Sequence, residues 1–197
     1  MFGGAFDPPH NAHIALALSA VAALQLDELH VIPTGQAWHK PRALSAPEHR
    51  LAMARLAFQN TPHVVVDDRE LRRAGPTFTI DTLRALQSEH PQAQLYLVIG
   101  ADQFAAFPQW HEWKSVVDIA IICIAARAQF DWASSQFDAY KELKARFLEL
   151  PMPQMPVSAT QIRQALGSGL PGGAKITDLL PEAVARYIAT HQLYSHP

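Results

Sequence analysis

His10 and His13 stand three residues apart, directly after Gly3-Gly4-Ala5-Phe6-Asp7-Pro8-Pro9. Imidazoles at that spacing share one face of a helix. Gly3 and Gly4 can approach a ligand closely and adopt backbone angles closed to other residues. A helix beginning at the histidines offers free N–H groups and the positive end of its dipole, which together form an anion site. Two imidazoles, glycine backbone and a helix terminus thus converge on one spot, and a triphosphate suits that spot better than a neutral ligand. The plainer reading is a glycine turn with surface histidines. H-x-x-H alone carries little, but with G-G-x-F-D-P before it the combination is specific. A second group is Val157-Ser158-Ala159-Thr160-Gln161-Ile162-Arg163. Ser158 and Thr160 offer hydroxyls and helix-start amides to phosphate oxygens, and Arg163 adds a delocalised charge. Helix capping is the simpler role for Ser158 and Thr160, and the two roles are compatible.

These residues need elements to hold them. Leu29–Pro33, Val64–Val66, Leu95–Ile99 and Ile119–Ile124 read as strands. They lack polar alternation, as strands buried on both faces do. Ile14–Gln25, Pro47–Gln59 and Thr79–Glu89 have helical composition between them. Pro47 suits a first helical position, with Ser45 a better cap than Ala46. Repeated strand–helix–strand units predict an α/β fold with a doubly wound parallel sheet. Asp138–Leu150 reads as an amphipathic helix. Pro151, Pro153 and Pro156 break the chain after it. A helix from Ser158 or Thr160 to about Gly167 follows, then a loop over 167–173 and a last helix over Pro181–His191. The expectation is one domain over residues 1–197, its C-terminal helical portion at about 157–194. One feature conflicts with this plan. Only Met1 and Phe2 precede Gly3, and two residues span roughly 7 Å, against a usual strand of about 5–6 residues. The amino terminus would also sit near the sheet interior, which is costly. A natural chain starting several residues upstream is the expectation that this raises.

The bulk composition is that of an ordinary globular chain: 197 residues, 49% hydrophobic and 17% charged. A formal net charge of -2 argues against a general nucleic-acid or membrane-surface binder, which would be basic. The single cysteine, Cys123, excludes a disulfide within the chain and reads as a buried small hydrophobe. No apolar run approaches a membrane span, and no secretion signal opens the chain, so a cytoplasmic location is the default. The ten histidines form no zinc-finger spacing.

G-G-x-F-D-P-x-H-x-x-H resembles the signature of the H-x-G-H nucleotidyltransferase superfamily, and Val157–Arg163 resembles its I-S-[AST]-T-x-x-R element. Three further segments are similar to those of bacterial nicotinate mononucleotide adenylyltransferases. They are Pro76-Thr77-Phe78-Thr79-Ile80-Asp81-Thr82-Leu83; Ile99-Gly100-Ala101-Asp102-Gln103 followed by Phe107-Pro108-Gln109-Trp110; and Leu179-Leu180-Pro181 through Leu193-Tyr194. The resemblance runs from Phe2 to Tyr194 and implies a Rossmann-like nucleotidyltransferase fold. It implies adenylyl transfer from ATP to nicotinate mononucleotide, giving nicotinate adenine dinucleotide and pyrophosphate in NAD biosynthesis, with Mg²⁺ on the phosphates and no dedicated metal ligands.

Site roles follow from the resemblance residue by residue. Gly3, Gly4 and Phe6 belong to the ATP-binding signature. His10 and His13 would contact the phosphates and steady the transition state. Asp102 would bind a ribose hydroxyl. Ser158, Thr160 and Arg163 would hold phosphates, Arg163 the β and γ groups. Lys40, in Gly35-Gln36-Ala37-Trp38-His39-Lys40-Pro41, would reach them across the cleft. Trp110 would stack on the pyridine ring, with a core aromatic as its plainer role. The backbone N–H groups of Thr79 and His111 would receive the nicotinate carboxylate. Two donors facing a carboxylate are satisfied, whereas a carboxamide turns its NH₂ on one of them. Such a mismatch can reject an analogue by about 10⁴-fold.

Three positions depart from the pattern. Ala12 stands where glycine is usual and would bring a methyl group near the phosphates, which helix propensity favours. Phe78 replaces a tyrosine. Ala125-Ala126-Arg127-Ala128 replaces an Arg-Pro pair, and nucleotide contact by Arg127 stays open. Other functions stay open too. They are adenylylation of nicotinamide mononucleotide or phosphopantetheine, a noncatalytic nucleotide sensor on the same fold, and a metal hydrolase using His10 and His13. The last lacks a suitably spaced third ligand and base, apart from Asp7.

Overall fold

The computed structural model describes residues 1–35, 44–126, 146–152, 155–168 and 176–194. Among these, six strands form one sheet: β1 (Phe2–Gly4), β2 (Leu29–Pro33), β3 (Val64–Val66), β4 (Leu95–Gly100), β5 (Ala120–Ala126) and β6 (Phe147–Pro151). Their order is β3-β2-β1-β4-β5-β6, and every pairing is parallel. This is the doubly wound α/β sheet that the strand–helix alternation predicts. The direction of winding reverses between β1 and β4. In open α/β sheets, ligands bind in the crevice at the carboxyl ends of the strands at such a point.

The helices are α1 (Asn11–Leu24), α2 (Pro47–Phe58), α3 (Arg69–Arg72), α4 (Thr79–Glu89), α5 (Ala101–Ala105), α6 (Trp113–Ile119), α7 (Ala159–Ser168), α8 (Ile176–Leu179) and α9 (Glu182–Thr190). Neighbouring strand residues point to opposite faces, and both faces are apolar. Phe2, Val31, Val98 and Cys123 pack with Leu16, Met53, Phe58, Ile162, Val184 and Ile188, so α1, α2, α7 and α9 cover one face. Ile32, Leu97, Ile99, Ile122 and Ile124 pack with Ile80, Leu83, Phe104, Val116 and Val117, so α4, α5 and α6 cover the other.

Two expectations need correction. The segment 138–150 reads as a helix, but Phe147–Pro151 is the edge strand β6, registered from Ile122↔Phe147 to Ala126↔Pro151. Phe147 and Leu150 are its buried residues, and that spacing of three imitates a helical face. Pairing with β5 overrides the local preference. Residues 138–145 of the expected helix lie outside the described residues. Ser45 does not cap α2: the cap position is Ala46, with Pro47 behind it. Ser45 instead spends its amide on Asp7 Oδ2 (3.2 Å) and its carbonyl on Arg50 (3.0 Å).

β1 is as short as the sequence suggests. Phe2, Gly3 and Gly4 pair with Val31, Ile32 and Pro33, while Phe2 also pairs with Val98. The Met1 amino group donates to Tyr96 O at 2.8 Å, and burial pushes its pKa down to about 5.

Candidate active site

The Gly3–His13 motif occupies the turn from β1 into α1. Gly3 and Gly4 are extended strand residues, and neither has positive φ. The conformational freedom of glycine is therefore not what these positions use. A Cβ on Gly4 would lie 3.1 Å from Phe6 Cζ, so its small size lets the Phe6 ring fold back over the strand. The strained residue is Phe6 itself, with φ +48° and a fully buried ring. Non-glycine residues rarely hold this conformation, and it recurs where surrounding structure enforces a functional geometry. Asp7 follows, buried, with a cis Asp7–Pro8 peptide.

His10 is the N-cap of α1, its backbone extended. The His10 and His13 rings stack with centroids 3.7 Å apart and 23° between planes. The backbone N–H of His10 donates to His13 Nδ1 at 3.1 Å. Nδ1 is thereby an acceptor, so a neutral His13 carries its proton on Nε2. The Phe6 ring contacts His13 edge to face at 5.1 Å. Ala12 is buried in the core cluster with Leu16 and Phe2, so its methyl group is taken up by packing.

The Val157–Arg163 motif joins this loop. Arg163 donates from Nη1 to Asp7 O (2.7 Å) and from Nη2 to Thr160 Oγ1 (3.1 Å). Ser158 Oγ accepts from Gln161 N at 3.2 Å, an N-cap at the start of α7, and donates to Gln161 Oε1. The capping role of Ser158 is therefore present in the fold, and the Thr160 hydroxyl is engaged by Arg163. Asp102 lies in the first turn of α5, just beyond β4, and is exposed. It occupies the carboxyl end of the strand adjoining β1.

Trp110, His111 and Thr79 form a second group. Thr79 is the first residue of α4, so its amide has no partner inside the helix. The Phe78 ring lies 4.3 Å from the His111 ring, tilted by 34°, which brings the start of α4 to the turn carrying His111. Trp110 is half-buried, 5.3 Å from Phe107, and packs on the second core cluster. Lys40 and Arg127 lie outside the described residues, as do Trp38 and His39.

Three residues that sequence reading passed over hold the site together. Arg50, on α2, is 1% exposed. Its guanidinium donates to Ala5 O (3.1 Å), Thr34 O (2.7 Å) and Ser45 O (3.0 Å), tying the phosphate loop to the carboxyl end of β2 and the entrance to α2. Burial lowers its pKa, and the nearby Asp7 opposes that. Tyr194 donates from its hydroxyl to Asp7 Oδ1. Glu70 accepts from Thr82 Oγ1 at 2.9 Å, joining α3 to α4, and burial pushes its carboxyl pKa upward. A Cβ on Gly35 would lie 2.2 Å from Glu70 O, so only glycine fits against α3 there. The ends of the Val157–Arg163 and Leu179–Tyr194 motifs give weak signals for these contacts, and nothing in the sequence marks Arg50.

A family model described as cytidylyltransferase-like matches residues 1–165. Together with the reversing parallel sheet, this defines the class: a nucleotidyltransferase. A protein of Albidiferax ferrireducens named "Probable nicotinate-nucleotide adenylyltransferase" is 53% identical over 194 residues, covering 98% of this chain and 96% of its own. A protein of Methylibium petroleiphilum with the same name is 42% identical over 200 residues, covering 100% and 92%. Among solved structures, the Plasmodium falciparum nicotinic acid mononucleotide adenylyltransferase complexed with NaAD shares the fold. Its TM-score is 0.76 at 21% identity, over 100% of this chain and 96% of that one. The chain belongs to the nicotinate-nucleotide adenylyltransferase family.

Proposed function

We propose that this protein transfers the adenylyl group of ATP to nicotinate mononucleotide, yielding nicotinate adenine dinucleotide and pyrophosphate, in NAD biosynthesis. One observation carries the reading: the stacked His10–His13 pair at the start of α1, beside the β1/β4 crevice, with Arg163 bound to the same loop. Family membership supplies the acceptor.

The reaction needs no nucleophilic side chain. A phosphate oxygen of the acceptor attacks the α-phosphorus of ATP, a new P–O bond forms, and the bond to the β-bridging oxygen breaks as pyrophosphate leaves. Catalysis is alignment plus charge stabilisation. His13, whose Nδ1 accepts from His10 N so that the proton of the neutral ring sits on Nε2, and His10 face charge developing on the α-phosphate. Gly3, Gly4, Phe6, Ser158 and Thr160 shape the cradle, and Arg163 and Lys40 bind the outer phosphates. Asp102 takes a ribose hydroxyl. Trp110 stacks on the pyridine, and the amides of Thr79 and His111 receive its carboxylate. The whole chain acts as a single domain in this scheme.

Among the described residues, no group of three or more His, Cys, Asp or Glu could hold a metal ion. The donors at the loop are imidazoles, hydroxyls and a guanidinium, and Asp7 is bonded to Ser45 and Tyr194. Such a set fits Mg²⁺ carried mainly on substrate phosphates. Bound there, it would neutralise phosphate charge. No helix among the described residues is long and apolar enough to cross a membrane. Use of ATP supports a cytoplasmic site of action, with small nucleotides as partners rather than nucleic acid.

The test is incubation with ATP and Mg²⁺ and, separately, nicotinate mononucleotide, nicotinamide mononucleotide and phosphopantetheine, with products resolved by chromatography. The expected dinucleotide is the nicotinate one, with much slower formation from the amide. No dinucleotide from the acid overturns the proposal.

A further inference from the structure

The two amides assigned to the nicotinate carboxylate belong to different parts of the chain. Thr79 begins α4, and His111 sits in the turn before α6. Their separation decides whether one acceptor group can engage both. Below the surface, Ile80 and Leu83 of α4 pack with Val116 and Val117 of α6. Nearer the turn, the Phe78 and His111 rings touch. Above them, Arg84 of α4 grips Glu112 with both ends of its fork. Nη2 lies 2.6 Å from Oε2 and Nη1 lies 3.3 Å from Oε1.

Glu112 is placed for that role by its backbone. It directly follows His111, holds φ +49°, and caps α6, with its carbonyl accepting from Val116 N at 3.1 Å. Its carboxylate also takes Ser115 Oγ at 3.3 Å, and His111 Nε2 lies 3.5 Å from Oε1. On the other side, Asp81 approaches Arg84 only to 4.0 Å. The planar, bidentate pairing fixes orientation as well as distance, which a lysine could not do.

We propose that the Arg84–Glu112 pair is a specificity determinant for the acceptor. It acts by positioning: it holds the Thr79 and His111 amides together on one acceptor group, so that a carboxylate satisfies both donors while a carboxamide turns its NH₂ on one of them. The inference rests on the donor-pair reading of those amides given above. Both side chains are about half exposed, 49% and 38%. An exposed pair contributes little to overall stability, so its functional effect separates from folding.

The experiment measures kcat and KM for the acid and amide mononucleotides, and KM for ATP, in wild type, Arg84→Met, Glu112→Gln and the exchanged double variant R84E/E112R. The melting temperature is recorded for each. In the single variants the acid-to-amide ratio of kcat/KM should fall about 10-fold, mainly through a raised KM for the acid. The KM for ATP should stay within about twofold and the melting temperature within about 2 °C. The exchanged variant should recover most of the ratio. An unchanged ratio in the single variants overturns the inference, as does equal loss toward both acceptors or no recovery on exchange. A wild type that does not discriminate overturns the donor-pair reading itself, and is distinguished by needing no variant.

Discussion

The hydroxyl of Tyr194 donates to the carboxylate of Asp7, joining residues 187 positions apart in sequence. The same aspartate takes Ser45 N on its other oxygen and gives its carbonyl to Arg163. One residue of the β1–α1 loop is thus held from the segment before α2, from α7 and from the C-terminal segment. Tyr194→Phe removes a single oxygen from this arrangement. A buried acceptor losing its donor costs about 1–3 kcal/mol. The expected result is a lower melting temperature and a severalfold fall in kcat, with KM for nicotinate mononucleotide changed less than about twofold. Calorimetry and steady-state kinetics check it. Wild-type turnover in the phenylalanine variant would show that the latch does not position the loop.

Arg50 makes a stronger prediction for folding. Its guanidinium serves three carbonyls from three segments and is nearly inaccessible. Arg50→Ala leaves those acceptors buried together, at a cost of about 3 kcal/mol. For a chain of this size that lowers the melting temperature by roughly 6–12 °C. Arg50→Lys should recover less than half, because an ammonium cannot span the same fork. A melting temperature unaffected by Arg50→Ala would contradict this role.

Cys123 is predicted to be inert in the native state. It lies in β5 with no exposed surface, and burial pushes its pKa up to about 12. The thiolate reacts, and the thiol does not. At pH 8 only about one molecule in 10⁴ would carry the thiolate, against about one in ten at the ordinary value of 9.0. A maleimide should therefore label the chain only after denaturant is added, with one equivalent incorporated by mass spectrometry. Rapid native labelling would show that β5 opens.

Much of this molecule can be read in its sequence, and the reasons for the exceptions are physical. Leu29–Pro33 and Leu95–Gly100 announce themselves because central strands covered on both faces are mostly apolar, and Val64–Val66 by its run of β-branched residues, although Val65 is exposed at the sheet edge. The edge strand Phe147–Pro151 does not, since its buried residues fall three apart and it draws its stability from β5. His10 and His13 are legible because their signature is local, and the stacked pair follows from adjacency at a helix start. Arg50, Tyr194, and the Arg84–Glu112 pair act through contacts that only the fold creates. The glycines teach a subtler lesson. Gly4 suggests backbone freedom, yet the left-handed residue is Phe6, and Gly4 serves as the space its ring needs.

His13 carries the prediction closest to the chemistry. With its Nδ1 accepting from His10 N, the opposite nitrogen carries the proton of the neutral ring and, in the proposed reaction, would donate it to phosphate. Removing one preorganised transition-state donor costs roughly 10²-fold or more in kcat. His13→Ala should show that loss with its melting temperature little changed, because His13 is only half-buried. Turnover unchanged in the alanine variant would remove His13 from the site.

The central claim is transfer of the adenylyl group, and ³¹P nuclear magnetic resonance follows it directly in a mixture of the protein, ATP, Mg²⁺ and nicotinate mononucleotide. ATP and acceptor phosphate signals should disappear together. Pyrophosphate and a dinucleotide diphosphate should appear in equal amounts. Formation of ADP or orthophosphate instead, or an acceptor signal that never changes, would contradict it.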